Sequence, residues 1–104
     1  VAENPEPGRP FHVLMLFPTT PKQQREHADK LGTFIREGIK VQPGFLSARL
    51  FLTEDGEKIV EHFQWMDRAS YEAYRASELG KAAASLLVTL HPQVYFLKEL
   101  DVIV

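Results

Sequence analysis

Two strand-like runs, Phe45 to Thr53 and Glu57 to Met66, are separated by the short segment Glu54-Asp55-Gly56. Asp-Gly is a strong hairpin signal, because glycine takes the positive φ of a tight turn without steric cost. The pair predicts an antiparallel hairpin in the middle of the chain, and every other element has to be arranged around it. On its N-terminal side, Phe11 to Phe17 is apolar, with aromatic and β-branched members, and is stopped by Pro18, so it reads as a mostly buried strand. Thr20 then reads as a helix N-cap with Pro21 at the first helical position. Ala28, Leu31, Ile35, Gly38 and Ile39 share one face of that helix, which is predicted to run to about Val41 before Pro43-Gly44 ends it. On the C-terminal side, Asp67 can cap a short helix bearing Tyr71 and Tyr74, and Glu78 to Leu87 forms a second helical piece rich in Ala and Leu. Gln93 to Val104 reads as a long final strand.

The order strand, helix, strand, strand, helix, strand, joined by right-handed crossovers, predicts a ferredoxin-like βαββαβ domain of the α+β class. Its four-stranded antiparallel sheet carries helices on one face and leaves the other bare. In the first hairpin strand, Leu46, Ala48, Leu50 and Leu52 alternate with Phe45, Ser47, Arg49 and Phe51, so both faces carry large apolar groups. A second copy of the chain is the simplest cover for the bare face, which predicts a homodimer.

At 104 residues the chain has room for one core, expected over residues 11–104, while residues 1–10 have the Pro, Gly and Glu content of a flexible arm. The chain begins at Val1 and not at Met, so a leader or tag upstream is conceivable. Twelve Lys and Arg against 14 Asp and Glu, with the signs interspersed, provide no basic stripe for nucleic acid. No apolar run approaches the ~20 residues needed to cross a bilayer. With no cysteine there is neither a disulfide framework nor a thiolate metal site, a composition compatible with a cytoplasmic setting.

Function has to be sought on the strand Glu57 to Met66, where alternation places Glu61, Phe63 and Trp65 on one face and Val60, His62 and Gln64 on the other. If the first face looks toward the helices, Glu61 and Trp65 can line a pocket with Met15, Tyr71 and Tyr74. The alternative is that Trp65 is core packing and Glu61 lies at a solvated rim. The four histidines, at 12, 27, 62 and 91, lack the i,i+4 spacing of a helical metal site; His27 is expected in solvent, and His12 can meet His62 only if the strand register allows. No phosphate loop, nucleophile elbow or Ser-x-x-Lys element is present.

The run Pro43-Gly44-Phe45-Leu46-Ser47-Ala48-Arg49-Leu50, followed by Asp55-Gly56, Phe63-Gln64-Trp65 and Tyr71-Glu72-Ala73-Tyr74, resembles the central signature of the antibiotic biosynthesis monooxygenase family. The resemblance covers nearly the whole chain after Pro10 and implies a dimeric α+β barrel. It also implies a monooxygenase that uses no cofactor, neither metal nor flavin, and oxidises a hydroxylated polycyclic aromatic of the polyketide type. In such enzymes the deprotonated substrate itself reduces dioxygen while the protein holds the anion in a dry pocket. Trp65 matches the family's pocket tryptophan, with Met15, Phe63, Tyr71 and Tyr74 as substrate-binding residues. Glu61 stands where an asparagine is often found four residues before that tryptophan, and Met15 aligns with an asparagine often found in the first strand. An amide donates a hydrogen bond to an anionic oxygen; Met cannot, and an ionised Glu repels the anion. Glu61 in an apolar pocket would instead have a raised pKa and act as general base. Haem-degrading relatives carry a haem-binding histidine about ten residues after the tryptophan, whereas this chain has Tyr74-Arg75-Ala76 there. Two further readings use the same fold: an isomerase or cyclase with Glu61 as base, or a non-catalytic ligand-binding dimer if Met15, Phe63 and Trp65 fill the pocket.

Overall fold

A computed structural model describes residues 9–104, so the expected arm at residues 1–10 lies almost wholly outside the described residues. The elements are β1 (Phe11–Pro18), α1 (Gln24–Glu37), a 3-10 turn (Ile39–Val41), β2 (Phe45–Leu52), β3 (Lys58–Trp65), α2 (Arg68–Ala76), α3 (Glu78–Leu90) and β4 (Gln93–Leu97). All strand pairs are antiparallel in the order β2-β3-β1-β4, the ferredoxin-like arrangement, with the helices over one face. No helix among the described residues is long and apolar enough to cross a membrane.

The hairpin forms where Asp-Gly predicts it. Gly56 has φ +78, and the Asp55 carboxylate accepts hydrogen bonds from Thr53 Oγ1 at 2.8 Å and Glu57 N at 2.9 Å. These bonds lower the Asp55 pKa below the usual carboxylate value, the Glu57 backbone N–H contributing most. Asp67 caps α2 by accepting from Ser70 N at 2.8 Å, and Ser77 caps α3 by accepting from Gly80 N at 3.1 Å.

Five expectations are corrected. Regular α1 begins at Gln24 and not at Pro21, because Thr20 is spent on a preceding turn in which its carbonyl accepts from both Gln23 N and Gln24 N. The helix also ends early, at Glu37. Gly38 leaves the helical region at φ −136 and ψ −62, and Gln42 is extended ahead of Pro43, as the residue before a proline must be. In β2, a bulge between Phe45 and Ser47 breaks the simple alternation: Leu46 is extruded, and Phe45 joins Ala48 and Leu50 on the helix side, edge-on to Trp65 at 5.7 Å. β4 stops at Leu97, which pairs with His12. Residues 98–104 pair with no strand among the described residues. His27 is also less solvated than expected, its Nδ1 lying 3.1 Å from Thr19 Oγ1.

The core lies between sheet and helices, with Val13, Phe17, Ile59 and Trp65 fully buried. α3 reaches it by crossing the end of α2 at Gly80, where a Cβ would fall on the carbonyl oxygen of Tyr74 and within 2.7 Å of that of Arg75. Gly80→Ala therefore has to push α3 off α2. The expected result is a loss of about 1–3 kcal/mol in urea unfolding, seen as a lower midpoint with an unchanged slope.

Candidate active site beneath the helices

β1 and β3 pair so that Phe11 faces Trp65, Val13 faces Phe63 and Met15 faces Glu61. On the other side of β3, Leu50 faces Glu61 and Ala48 faces Phe63. Side chains directly opposite each other share a face of the sheet, so these residues all project beneath the helices. Glu61 thus sits between Met15 and Leu50, with apolar neighbours on both flanks. It is 3% exposed, and no hydrogen bond from the described residues reaches its carboxyl. Burial without compensation pushes its pKa up to about 8. The acid is neutral at pH 7 in most molecules.

Met15, Glu61, Phe63 and Trp65 form the floor of a cavity of about 510 Å³. α2 contributes Tyr71, Tyr74 and Arg75; α1 contributes Leu31 and Ile35, and α3 contributes Ala83 and Leu87. The volume lies within the roughly 300–1,000 Å³ of pockets that take small organic molecules. Met15, Phe63 and Trp65 line this space and do not fill it, and Glu61 is not at a solvated rim. The six residues singled out from the sequence therefore meet in one enclosure.

The polar groups are tethered to an aromatic wall. Tyr74 stacks on Trp65 with ring centroids 5.2 Å apart and planes 23° apart, and Tyr71 meets Trp65 nearly edge-on at 6.1 Å. Tyr71 also contacts Phe11 and Phe96, both at 5.6 Å. Burial, reinforced by Tyr71 and Glu61 and opposed by Arg75, pushes the Tyr74 pKa up to about 12, so its hydroxyl keeps its proton. Arg75 Nη1 donates to the Tyr71 hydroxyl at 3.0 Å.

Sequence reasoning missed Arg75 and the α1 and α3 walls as lining. The signal for Arg75 was its position four residues after Tyr71, one helical turn along the same face. His12 and His62 do meet, with Nδ1 of His12 2.8 Å from Nε2 of His62, but on the opposite face of the sheet from the cavity. The His62 pKa is lowered, mainly by burial and then by His12 and Arg49. No group of three or more metal-ligating side chains occurs among the described residues.

Residues 10–86 match the sequence model of a family described as antibiotic biosynthesis monooxygenase. Over 66 residues, 64% of this chain, the sequence is 36% identical to tetracenomycin-F1 monooxygenase of Streptomyces glaucescens, and the match spans 59% of that protein's length. Among solved structures, the ActVA-Orf6 monooxygenase of Streptomyces coelicolor, crystallised with nanaomycin D, superposes with a TM-score of 0.78 at 24% identity over 95% of each chain. SnoaB, a cofactor-independent oxygenase of Streptomyces nogalater, gives a TM-score of 0.72 at 16% identity, covering 91% of this chain and 97% of its own. At these identities the two structures speak to the fold.

The buried acid makes a testable statement about stability. Between its ordinary value of 4.5 and about 8, the folded chain holds a proton that the unfolded chain has lost. That contribution to stability is complete below pH 4.5 and is lost as pH rises through 8, at ~1.4 kcal/mol per pH unit as an upper bound. Glu61→Gln removes the titration. Urea unfolding at several pH values should show the variant gaining on the wild type by a few kcal/mol across this window, and a difference independent of pH would contradict a buried, unpaired acid.

Proposed function

We propose, from the premise that this chain belongs to the antibiotic biosynthesis monooxygenase family, that it oxidises a hydroxylated polycyclic aromatic of the polyketide type with dioxygen, and that the reaction needs neither metal nor flavin. One observation carries the reading: an unpartnered carboxyl with a pKa near 8 opens into an aromatic-walled cavity of about 510 Å³. A general base is most effective when its pKa lies near the working pH.

The chemistry follows from those groups. Glu61 as carboxylate takes a proton from the acidic C–H or O–H of the bound aromatic, leaving an enolate. The enolate passes one electron to dioxygen, and the resulting superoxide and carbon radical combine to form a C–O bond. Glu61, now protonated, returns its proton to the peroxide. Loss of water with the second hydrogen of that carbon leaves a carbonyl, so CH2 and O2 become C=O and H2O. While it holds the proton, Glu61 is neutral and its O–H can donate to the anionic oxygen. It thereby performs the task of the family's amide at this position and avoids the repulsion an ionised acid would cause. Tyr74 stacked on Trp65 offers a flat surface for the ring system.

With anthrone as substrate, the purified protein treated with chelator should consume one dioxygen per anthraquinone formed. Log kcat/KM should rise with pH to about 8 and then level, because the base must be ionised. Glu61→Gln should lower the rate by roughly 10²–10⁴ and abolish that rise. An unchanged profile in the variant would remove Glu61 from the mechanism. Product formed under strict anaerobiosis would instead assign an isomerisation or cyclisation.

The proposal extends to a homodimer. On the helix-free face, Phe51, Tyr95 and Leu97 are 50%, 44% and 40% exposed around half-buried Leu14 and Leu16, an apolar surface a monomer would leave in water. Light scattering should give twice 11.9 kDa, and Phe51→Asp should shift the protein toward monomer. A wild-type monomer at micromolar concentration would refute the dimer.

A further inference from the structure

Two histidines that the cavity does not use meet on the opposite, helix-free face of the sheet. His12 of β1 and His62 of β3 are stacked, with ring planes 7° apart and centroids 5.0 Å apart, and Nδ1 of His12 is 2.8 Å from Nε2 of His62. A contact of that length between two imidazole nitrogens needs one to donate and the other to accept, so it accommodates a single hydrogen. The other ring nitrogen of His12, Nε2, is buried without a hydrogen-bond partner among the described residues and lies 3.8 Å from the Glu99 carboxylate. A proton added to His12 therefore suits both ends of its ring, with Nε2–H turned toward Glu99 and Nδ1–H donated to His62. A second proton, on His62, has no such place. It would set two N–H groups against each other across the short contact and stack two cations.

The surroundings sharpen that contrast. Arg49 of β2 lies opposite His62 and adds a fixed positive charge, and Lys58 stands on the same face four residues earlier in β3. Glu99 faces His12, and Arg9 donates to the Glu99 backbone carbonyl at 3.4 Å. From β4 the face receives Leu97, opposite His12, and Tyr95, opposite Leu14, neither of which can carry positive charge. Burial, then His12 and Arg49, lower the His62 pKa from its ordinary value of 6.5. The pair is embedded in the apolar surface assigned above to the dimer: Leu14 lies opposite His62, and Phe51 follows Arg49 by two residues on the same face.

We propose that His12 and His62 form a proton-operated switch in the dimer face: holding at most one proton, the pair packs beneath the second copy of the chain, and taking a second it drives the copies apart. The switch rests on the homodimer reading. Its sign follows from linkage. A proton that the assembled face excludes from His62 binds only once the copies separate, so association is complete above pH 6.5 and is lost as pH falls below it. Each pair contributes at most about tenfold per pH unit, and a dimer contains two pairs.

Sedimentation of the full chain at about pH 7.5 and about pH 5.5, either side of 6.5, tests the switch. The wild-type dimer should dissociate roughly 10–100-fold more readily at the lower pH. The fluorescence of buried Trp65, the only tryptophan, should not change, which shows that the separated copies remain folded. His62→Gln keeps a hydrogen-bonding group beside His12 but cannot take the second proton, so its dimer should be as tight at the lower pH as at the higher. His12→Gln, which leaves His62 without a second imidazole, should behave the same way. A wild-type dimer insensitive to pH, acid dissociation undiminished in either variant, or dissociation accompanied by loss of the Trp65 signal overturns the switch. The first of these leaves the homodimer reading standing, whereas a wild type that is monomeric at both pH values refutes that reading and the switch with it.

Discussion

The antiparallel pairing of β1 with β3 is the constraint on which the rest of this structure depends. It sets Met15 opposite Glu61, Val13 opposite Phe63 and Phe11 opposite Trp65, and because side chains alternate strictly, a slip of one residue in either strand would send that strand's three to the other face. In the observed register the acid and the indole lie under the helices, and His12, Leu14 and Leu16 face away. The bulge in β2 serves the same arrangement. By extruding Leu46 it brings Phe45 edge-on to Trp65, so the indole is gripped from β2 as well as from α2.

Glu61 shows what that geometry does to a charge. A carboxyl flanked by Met15 and Leu50 and offered no hydrogen-bond donor cannot ionise at its ordinary pKa. A stability-minded fold would place an apolar residue there. Keeping an acid at that position weakens the folded state at alkaline pH, and such sacrifices concentrate where a group is needed for chemistry. The neighbouring tyrosines are held differently: Tyr74 by stacking on Trp65, and Tyr71 by Arg75 and by its contacts with Phe11, Trp65 and Phe96. The cavity therefore joins one buried acid to aromatic walls.

Much of this was legible from local signals. Asp55-Gly56 specifies its hairpin because the turn chemistry resides in two adjacent residues, and Asp67 announces α2 for the same reason. Alternation along Glu57 to Met66 was enough to group Glu61, Phe63 and Trp65. What failed was whatever depended on a distant partner. The length of β4 depends on its pairing with β1, which ends where Leu97 meets His12, more than eighty residues away, and nothing within Gln93 to Val104 records it. Phe45 was assigned to the wrong face because a bulge arises from the fit between two strands and leaves little trace in either one alone.

The amino-acid sequence by itself determined the order of elements, the α+β class and which side chains of each strand travel together, because periodicity, caps and turn residues act over a few positions. Only the tertiary structure decided which face of β3 meets the helices, that the helices stand far enough off to leave a cavity, and that exposed Arg75 lines part of it. Those outcomes depend on packing between segments remote in the chain, with Gly80 setting how closely α3 approaches α2 and strand register setting what each side chain sees.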